Sequence, residues 1–178
     1  MTTSQQPPLD ATRSVVLIMD FQNGIVNNAA SQPERVVQKA ADVLRSARSA
    51  GISVIYVVHR GGRFEADSPE AEIHSAVAPT AGERILRKTR AGAFSTTGLD
   101  VLLRELAKDT LILMGVATSG CVLSTMRWSA DVGYKLVVVS DACDDRDAEV
   151  HRVLTEKVFP RQGRVLTATE LTQEIATR

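Results

Sequence analysis

The stretch "TLILMGVATSGCVLSTMRWSADVG", residues 110–133, joins two kinds of secondary structure. Residues 110–116 form an apolar run of strand length, and residues 121–133 have the pattern of a helix that Gly133 stops. Small residues lie between them, and the helix begins at Cys121. A buried strand followed by an amphipathic helix is typical of a sheet covered by helices, and here the junction carries a thiol.

The same alternation runs through the rest of the chain. Strands are predicted at 14–20, 52–59, 84–88, 110–116, 134–142 and 163–167. Helices are predicted at 33–51, 99–108, 121–133, 147–159 and 168–177. Together they predict an α/β fold: a three-layer αβα, Rossmann-like domain whose six-stranded, mainly parallel sheet has the order 3-2-1-4-5-6.

Length and composition indicate one ordinary globular domain. The 178 residues, 44% of them hydrophobic, predict a single domain over 14–178, preceded by a flexible N-terminal tail over 1–13 that is polar and contains proline. The tail has no apolar signal core, and no apolar run approaches about 18 residues, so we expect a cytoplasmic protein without a membrane span.

Charge and cysteine content narrow the possible partners. Lys+Arg and Asp+Glu balance at 21 each, without a basic stripe, which argues against nucleic acid and anionic membranes as partners. The two cysteines are too few for a disulfide framework, so both are expected to be reduced thiols. A small-molecule substrate is the expected partner.

Three chemically capable residues fall at one edge of the predicted sheet. Asp20 ends the first strand, Lys88 ends the third, and Cys121 follows the fourth. Ligands of such sheets bind beyond the carboxyl ends of the strands, where the first and fourth strands meet. A helix start favours a thiolate, Asp20 would take the thiol proton, and Lys88 would orient the anionic pair. Each residue alone also fits a structural role, so from the residues alone both interpretations stay open.

Three blocks of the chain resemble a known family. The blocks are "VVLIMDFQNGIV" (15–26), "LRKTRAGAFSTTGLDVLL" (86–103) and "LMGVATSGCVLSTMRWSADVGYKLVVVSDAC" (113–143). They resemble, in order and spacing, the signature blocks of the isochorismatase-like cysteine hydrolases. The resemblance implies a catalytic triad of Asp20, Lys88 and Cys121. It also implies a cis peptide bond between Val116 and Ala117, with the N–H groups of Ala117 and Cys121 as the oxyanion hole.

Departures from related branches refine this expectation. The nicotinamidase branch has an Asp-x-His pair and a second histidine as metal ligands after the second strand, whereas this chain has Val58-His59-Arg60, with His74 well downstream. One imidazole beside an arginine is a poor Zn²⁺ shell, so no metal and no cofactor are expected. The eponymous isochorismatases cleave a vinyl ether without the cysteine, so Cys121 favours the amidase arm. The resemblance therefore implies a metal-independent hydrolase that cleaves a C–N bond of a small amide, carbamoyl or lactam through a thioester.

Other residues are weaker candidates. Gln22 follows Asp20 and is a substrate-binding candidate, although "QNG" is equally a turn. Arg90 and Phe94 lie in the second block, where the resemblance places the pocket, although Phe94 fits the core equally well. Trp128 is assigned to helix packing or to a subunit interface, with a homo-oligomer expected, and His151 to packing or the surface.

Two other functions are alternatives at this point. A nucleotide- or flavin-binding module has a similar sheet, but "DFQNG" replaces the glycine-rich phosphate loop after the first strand. A catalytically idle interaction protein is the third possibility, and the intact triad argues against it. The long irregular connection at 60–83 is a candidate lid or pocket wall.

Overall fold

The computed structural model describes residues 9–65 and 68–177, which fold around one parallel sheet. Its strands are β1 (Ser14–Met19), β2 (Ser53–His59), β3 (Arg84–Lys88), β4 (Thr110–Val116), β5 (Lys135–Asp144) and β6 (Arg164–Leu166). Their order is β3-β2-β1-β4-β5-β6, and every described pairing is parallel. The predicted fold class and strand order are confirmed.

Helices cover both faces of the sheet. They are α1 (Asn23–Ala29), α2 (Pro33–Ser49), α3 (Leu99–Glu105), α4 (Leu123–Asp131), α5 (Ala148–Val153) and α6 (Ala168–Ala176). Successive side chains of a strand point to opposite faces, so Val16 and Ile18 pack in the core under α2 and α6, whereas Val15 and Leu17 pack in the core under α3 and α4. All of β1 is buried, as expected for a central strand covered on both sides. None of the described helices is long and apolar enough to cross a membrane.

Two helices differ from the prediction. Helix α1 lies where the sequence predicts no helix and where "QNG" (22–24) is equally typical of a turn. The predicted helix over 121–133 begins earlier, with a wide π turn over Thr118–Val122 that leads into α4. Cys121 therefore lies inside this π turn and not at the start of α4.

Part of the predicted tail lies within the described residues. Residues 1–8 lie outside the described part of the chain, but the residues that follow pack on the domain. Leu9 is buried, and its N–H donates to Oε1 of Glu174 at 3.1 Å. Arg13 forms an ion pair with Asp109 at 2.8 Å. Leu9 and Arg13 thus join this segment to α6 and to the residue that precedes β4.

Candidate active site

The ends of three strands bring Asp20, Lys88 and Cys121 together. Asp20 directly follows β1, Lys88 ends β3, and Cys121 lies in the π turn after β4. Lys88 reaches past β2, and its Nζ lies 2.7 Å from Oδ2 of Asp20. All three residues are buried, at 5%, 2% and 3% exposure respectively. The structure therefore brings the three predicted residues together in a site that is almost fully shielded from solvent.

Asp20 has an unusual backbone conformation. Its φ of 58° lies in the left-handed region, which non-glycine residues rarely adopt and which costs on the order of 1–3 kcal/mol. Its N–H donates to the carbonyl of Val57 at 2.9 Å, and its side chain is held by Lys88. Contacts with β2 and β3 thus hold the conformation that ends β1.

Among the described residues, Lys88 forms the ion pair with Asp20, and His59 makes a smaller electrostatic contribution. Burial raises the pKa of Asp20 above its usual value, and Lys88 offsets part of that shift. Its second oxygen, Oδ1, is buried and accepts no hydrogen bond of normal length from the described residues. A buried carboxylate with a raised pKa and an unoccupied acceptor is suited to taking up a proton.

The thiol of Cys121 differs from the expectation of a thiolate. Burial raises the pKa of Cys121 well above its ordinary value, and the negative charge of Asp20 raises it further, while Lys88 opposes the shift. Sγ donates a weak hydrogen bond to the carbonyl of Ala117 at 3.6 Å and also interacts with the Asp20 carboxyl group. The resting site therefore holds a neutral thiol beside the carboxyl group of Asp20, which is paired with Lys88.

The segment 116–121, which we call the elbow, surrounds this thiol. The peptide bond between Val116 and Ala117 is cis, as the resemblance implied. The N–H of Ser119 donates to Oδ2 of Asp145 at 2.8 Å, and that of Gly120 to the carbonyl of Ala117 at 3.1 Å. Those two N–H groups are engaged within the protein, and the oxyanion role of the N–H groups of Ala117 and Cys121 stays a prediction. Ser119 is exposed and Ala117 half-buried, so the elbow borders solvent above the buried sulfur.

Gly115 lies directly beneath the sulfur. A Cβ at this position would stand 2.9 Å from Sγ of Cys121 and 3.1 Å from the carbonyl oxygen of Met19. Only glycine leaves room for the thiol between β4 and β1. The sequence indicated only that bulk is low here, because the close approach of the sulfur is a tertiary contact.

Gln22 is not placed to meet a substrate. It is 1% exposed, and its Nε2 donates to the carbonyls of His59 and Ala71 at 3.1 and 3.0 Å. Its Oε1 accepts from the N–H of His59 at 2.7 Å. The amide thus ties the end of β2 to the 60–83 connection.

Phe94 and Arg90 follow β3 on the same loop. Phe94 is 6% exposed and stacks on Trp128 with ring centroids 6.2 Å apart, so its ring is part of the packing under α4. The side chain of Arg90 is exposed, and its carbonyl accepts from Nζ of Lys88 at 3.1 Å. Arg90 thus helps to orient the lysine through its backbone, and its guanidinium as a substrate contact stays a prediction.

The described residues contain no group of three or more His, Cys, Asp and Glu side chains that could hold a metal ion. His59, the one histidine near Asp20, has the ring of Phe64 edge-on at 5.5 Å and is followed by Arg60.

Comparisons with known proteins identify relatives of this chain. The isochorismatase domain matches residues 14–170. Streptothricin hydrolase of Streptomyces noursei is 33% identical over 132 residues, which is 71% of this chain but 48% of that protein. Maleamate amidohydrolase of Pseudomonas putida is 29% identical, covering 92% of this chain and 87% of that protein. The crystal structure of a cysteine hydrolase from Pseudomonas syringae pv. phaseolicola superposes with a TM-score of 0.89 at 25% identity, covering 97% of this chain and 96% of that one. The chain belongs to the isochorismatase family, and its relatives are named as hydrolases and amidohydrolases.

Proposed function

We propose that the protein is a metal-independent cysteine hydrolase that cleaves the C–N bond of a small amide, carbamoyl or lactam compound through a thioester. The observation that carries the proposal is the buried Asp20–Lys88 ion pair of 2.7 Å beside the thiol of Cys121. A relative named for amide hydrolysis, the maleamate amidohydrolase, covers nearly the whole chain and supports a C–N bond as the target.

The first step follows from the protonation states at rest. Cys121 is a neutral thiol and Asp20 a carboxylate, so Asp20 takes the thiol proton as the sulfur attacks the substrate carbonyl. The raised pKa of Asp20 makes it a stronger base than an exposed aspartate. Lys88 stays near the negative charge as that charge moves from the carboxylate towards the sulfur and the substrate oxygen.

The elbow receives the charge that develops on the substrate oxygen. The N–H groups of Ala117 and Cys121 are the proposed donors, as the family resemblance implies, while those of Ser119 and Gly120 are engaged elsewhere. Preorganised donors in a site that excludes water contribute strongly, and removal of one typically costs about 10²–10³ in rate.

The second half of the reaction restores the starting protonation states of Asp20 and Cys121. Protonated Asp20 donates to the leaving nitrogen, the C–N bond breaks, and ammonia or an amine departs from a thioester on Cys121. Water then enters and gives a proton to Asp20 while its oxygen attacks the thioester carbonyl. Collapse releases the acid, and the departing sulfur recovers its proton from Asp20.

Trapping the thioester tests the proposal. A panel of small amides, ureas and lactams is screened for ammonia or amine release, and the reaction is repeated with hydroxylamine. We expect a hydroxamate product and, after rapid quenching, an acyl adduct on the peptide that contains Cys121. Turnover with neither hydroxamate nor adduct would show that water attacks directly.

Metal independence is part of the proposal. The donor set after β2 is one imidazole followed by an arginine, whose positive charge opposes a cation. Dialysis against a strong chelator is expected to leave turnover unchanged, and a loss that Zn²⁺ restores would contradict this point.

We also propose that the chain forms a homo-oligomer through the exposed face of α4. Trp128 and Val132 are 47% and 43% exposed there, flanked by the exposed Arg127 and Asp131. Two copies of the helix packed about a twofold axis would pair each Arg127 with the Asp131 of the other copy and cover both tryptophans. Analytical ultracentrifugation should show that Trp128→Glu dissociates the oligomer, whereas Val150→Glu on α5 does not; a monomeric native protein would contradict the proposal.

A further inference from the structure

Two side chains beyond the triad hold the elbow from the outside. Oγ1 of Thr118 lies 2.8 Å from Nδ1 of His151, and Thr118 is fully buried. Oδ2 of Asp145 accepts the N–H of Ser119 at 2.8 Å, and Asp145 is 6% exposed. Both partners come from the segment that leads from β5 into α5.

These two contacts fall between the proposed oxyanion donors in the sequence. Thr118 and Ser119 lie between Ala117 and Cys121, the two residues whose N–H groups are the proposed oxyanion donors. Contacts on two of the three intervening residues restrain the backbone that separates the donors. They therefore set the distance and angle at which the two N–H groups converge.

The holding residues are themselves well anchored. Asp145 receives the N–H of Asp147 on its other oxygen at 3.4 Å, and Asp147 caps α5 by accepting the N–H of Glu149 at 2.9 Å. The backbone N–H of Asp145 donates to the buried Asp144, which in turn accepts from the N–H of Gln32 before α2. The elbow is thus connected to rigid elements on both faces of the sheet.

We propose that His151 and Asp145 are positioning residues of the oxyanion hole, which hold Thr118 and Ser119 so that the N–H groups of Ala117 and Cys121 point at one substrate oxygen. This inference rests on the proposed function. Neither side chain touches the substrate; both act through the elbow. Burial lowers the pKa of His151, which keeps its ring neutral near pH 7 and able to accept the hydroxyl proton of Thr118 at Nδ1.

A series of variants at one hydrogen bond tests the kinetic consequence. His151→Leu and Thr118→Val each remove one partner with little change in volume, and each is expected to lower kcat by about 10²-fold, the cost of a small misplacement, with KM nearly unchanged. Their combination should cost little more than either alone, because both remove the same contact. His151→Asn, which can place an amide atom near the position of Nδ1, should recover most of kcat. Arg152→Gln, at the next residue of α5, whose exposed side chain pairs with Glu149 and Glu156, is the matched control and should resemble the wild type.

A second measurement needs no substrate. The chain has two cysteines, so protein labelled with ¹⁵N-cysteine gives two backbone amide resonances, which Cys143→Ala assigns. We expect His151→Leu and Thr118→Val to shift the Cys121 resonance while Arg152→Gln leaves it in place. Should His151→Leu fail to fold, Thr118→Val carries the same test.

The outcomes separate the two proposals. A shifted Cys121 resonance together with a kcat loss that His151→Asn reverses supports the inference. An unmoved resonance, unchanged kcat, or a loss confined to KM overturns it. A shifted resonance in a protein without amide hydrolysis would leave the elbow contacts standing but refute both the oxyanion role and the proposed function.

Discussion

Nζ of Lys88 lies 2.7 Å from Oδ2 of Asp20, and the two side chains are only 2% and 7% exposed. Exposed ion pairs contribute little, but removal of one partner of a buried pair leaves an uncompensated charge, typically at a cost of about 3–5 kcal/mol. The pair therefore links stability and catalysis. The effect of a substitution here must be measured both on the stability of the fold and on the activity.

Neutralising either partner should stop the proposed proton transfer. Asp20→Asn removes the base, and Lys88→Met removes the charge that stabilises it, so each should lower kcat/KM by about 10²–10⁴. The double variant should lose no more than the worse single variant, since the residues act as a unit. Steady-state amine release measures the losses, with thermal unfolding monitored in parallel. Arg87→Met, the preceding and exposed cation of β3, is the control, and losses that multiply would contradict a shared step.

The two cysteines provide a matched pair. Both are 3% exposed, but Cys121 lies beside Asp20, whereas Sγ of Cys143 lies 3.9 Å from the carbonyl of Leu113 and interacts with the backbone of Gly115. Cys121→Ala should abolish turnover, while Cys143→Ala should retain most of it, because only the first removes the nucleophile. Circular dichroism checks that both variants fold. Retained activity in Cys121→Ala would end the covalent mechanism.

Gly115→Ala should act directly on the nucleophile. The new methyl group would stand 2.9 Å from Sγ of Cys121 and 3.1 Å from the carbonyl oxygen of Met19. Such overpacking typically costs about 1–3 kcal/mol in stability, and here the sulfur must also move. We expect a lower melting temperature and a large loss of kcat. Gly98→Ala, where an added Cβ meets nothing within 4 Å, is the control; an active Gly115→Ala would mean that the sulfur position is not critical.

Local sequence pattern predicted the sheet well, because each strand is an apolar run with clear ends. The bounds of β3 and β4, Arg84–Lys88 and Thr110–Val116, match the prediction. Local sequence pattern did not predict helix α1, because "NGIVNNA" has the glycine and asparagines of a turn. Its Gly24 packs so closely on the 60–83 connection that a Cβ would stand 2.8 Å from that of Glu70, a tertiary contact that no local pattern reveals.

Some features of the site were also predictable from the sequence, whereas others depend on tertiary contacts. Strand ends placed Asp20, Lys88 and Cys121 at one edge, since position along the chain decides where parallel strands finish. The protonation of Cys121 depends on burial and on its proximity to Asp20, which are tertiary quantities. His151 was assigned to packing or the surface, because a helical pattern does not say that one of its side chains meets Thr118.

The pH dependence of the reaction should reveal the environment of Asp20. The carboxyl group must be ionised to accept the thiol proton, and burial raises its pKa above the usual value of 3.8. A raised pKa means that the proton is retained to higher pH, so kcat/KM should fall as the pH decreases through a value above 3.8. Lys88→Met removes the charge that lowers this pKa and should move the residual acid limb to still higher pH.

A titration of the carboxyl carbons by ¹³C NMR measures the same pKa without turnover. Asp100, whose pKa is lowered by hydrogen bonds from Arg104 and Tyr134, is an internal control that should titrate below 3.8 in the same spectra. The protonated form of Asp20 favours the folded state, so its contribution to stability is present at low pH and is lost as the pH rises through the folded-state pKa. An Asp20 resonance that titrates at or below 3.8, together with an acid limb that Lys88→Met leaves in place, would contradict the assignment of Asp20 as the buried base.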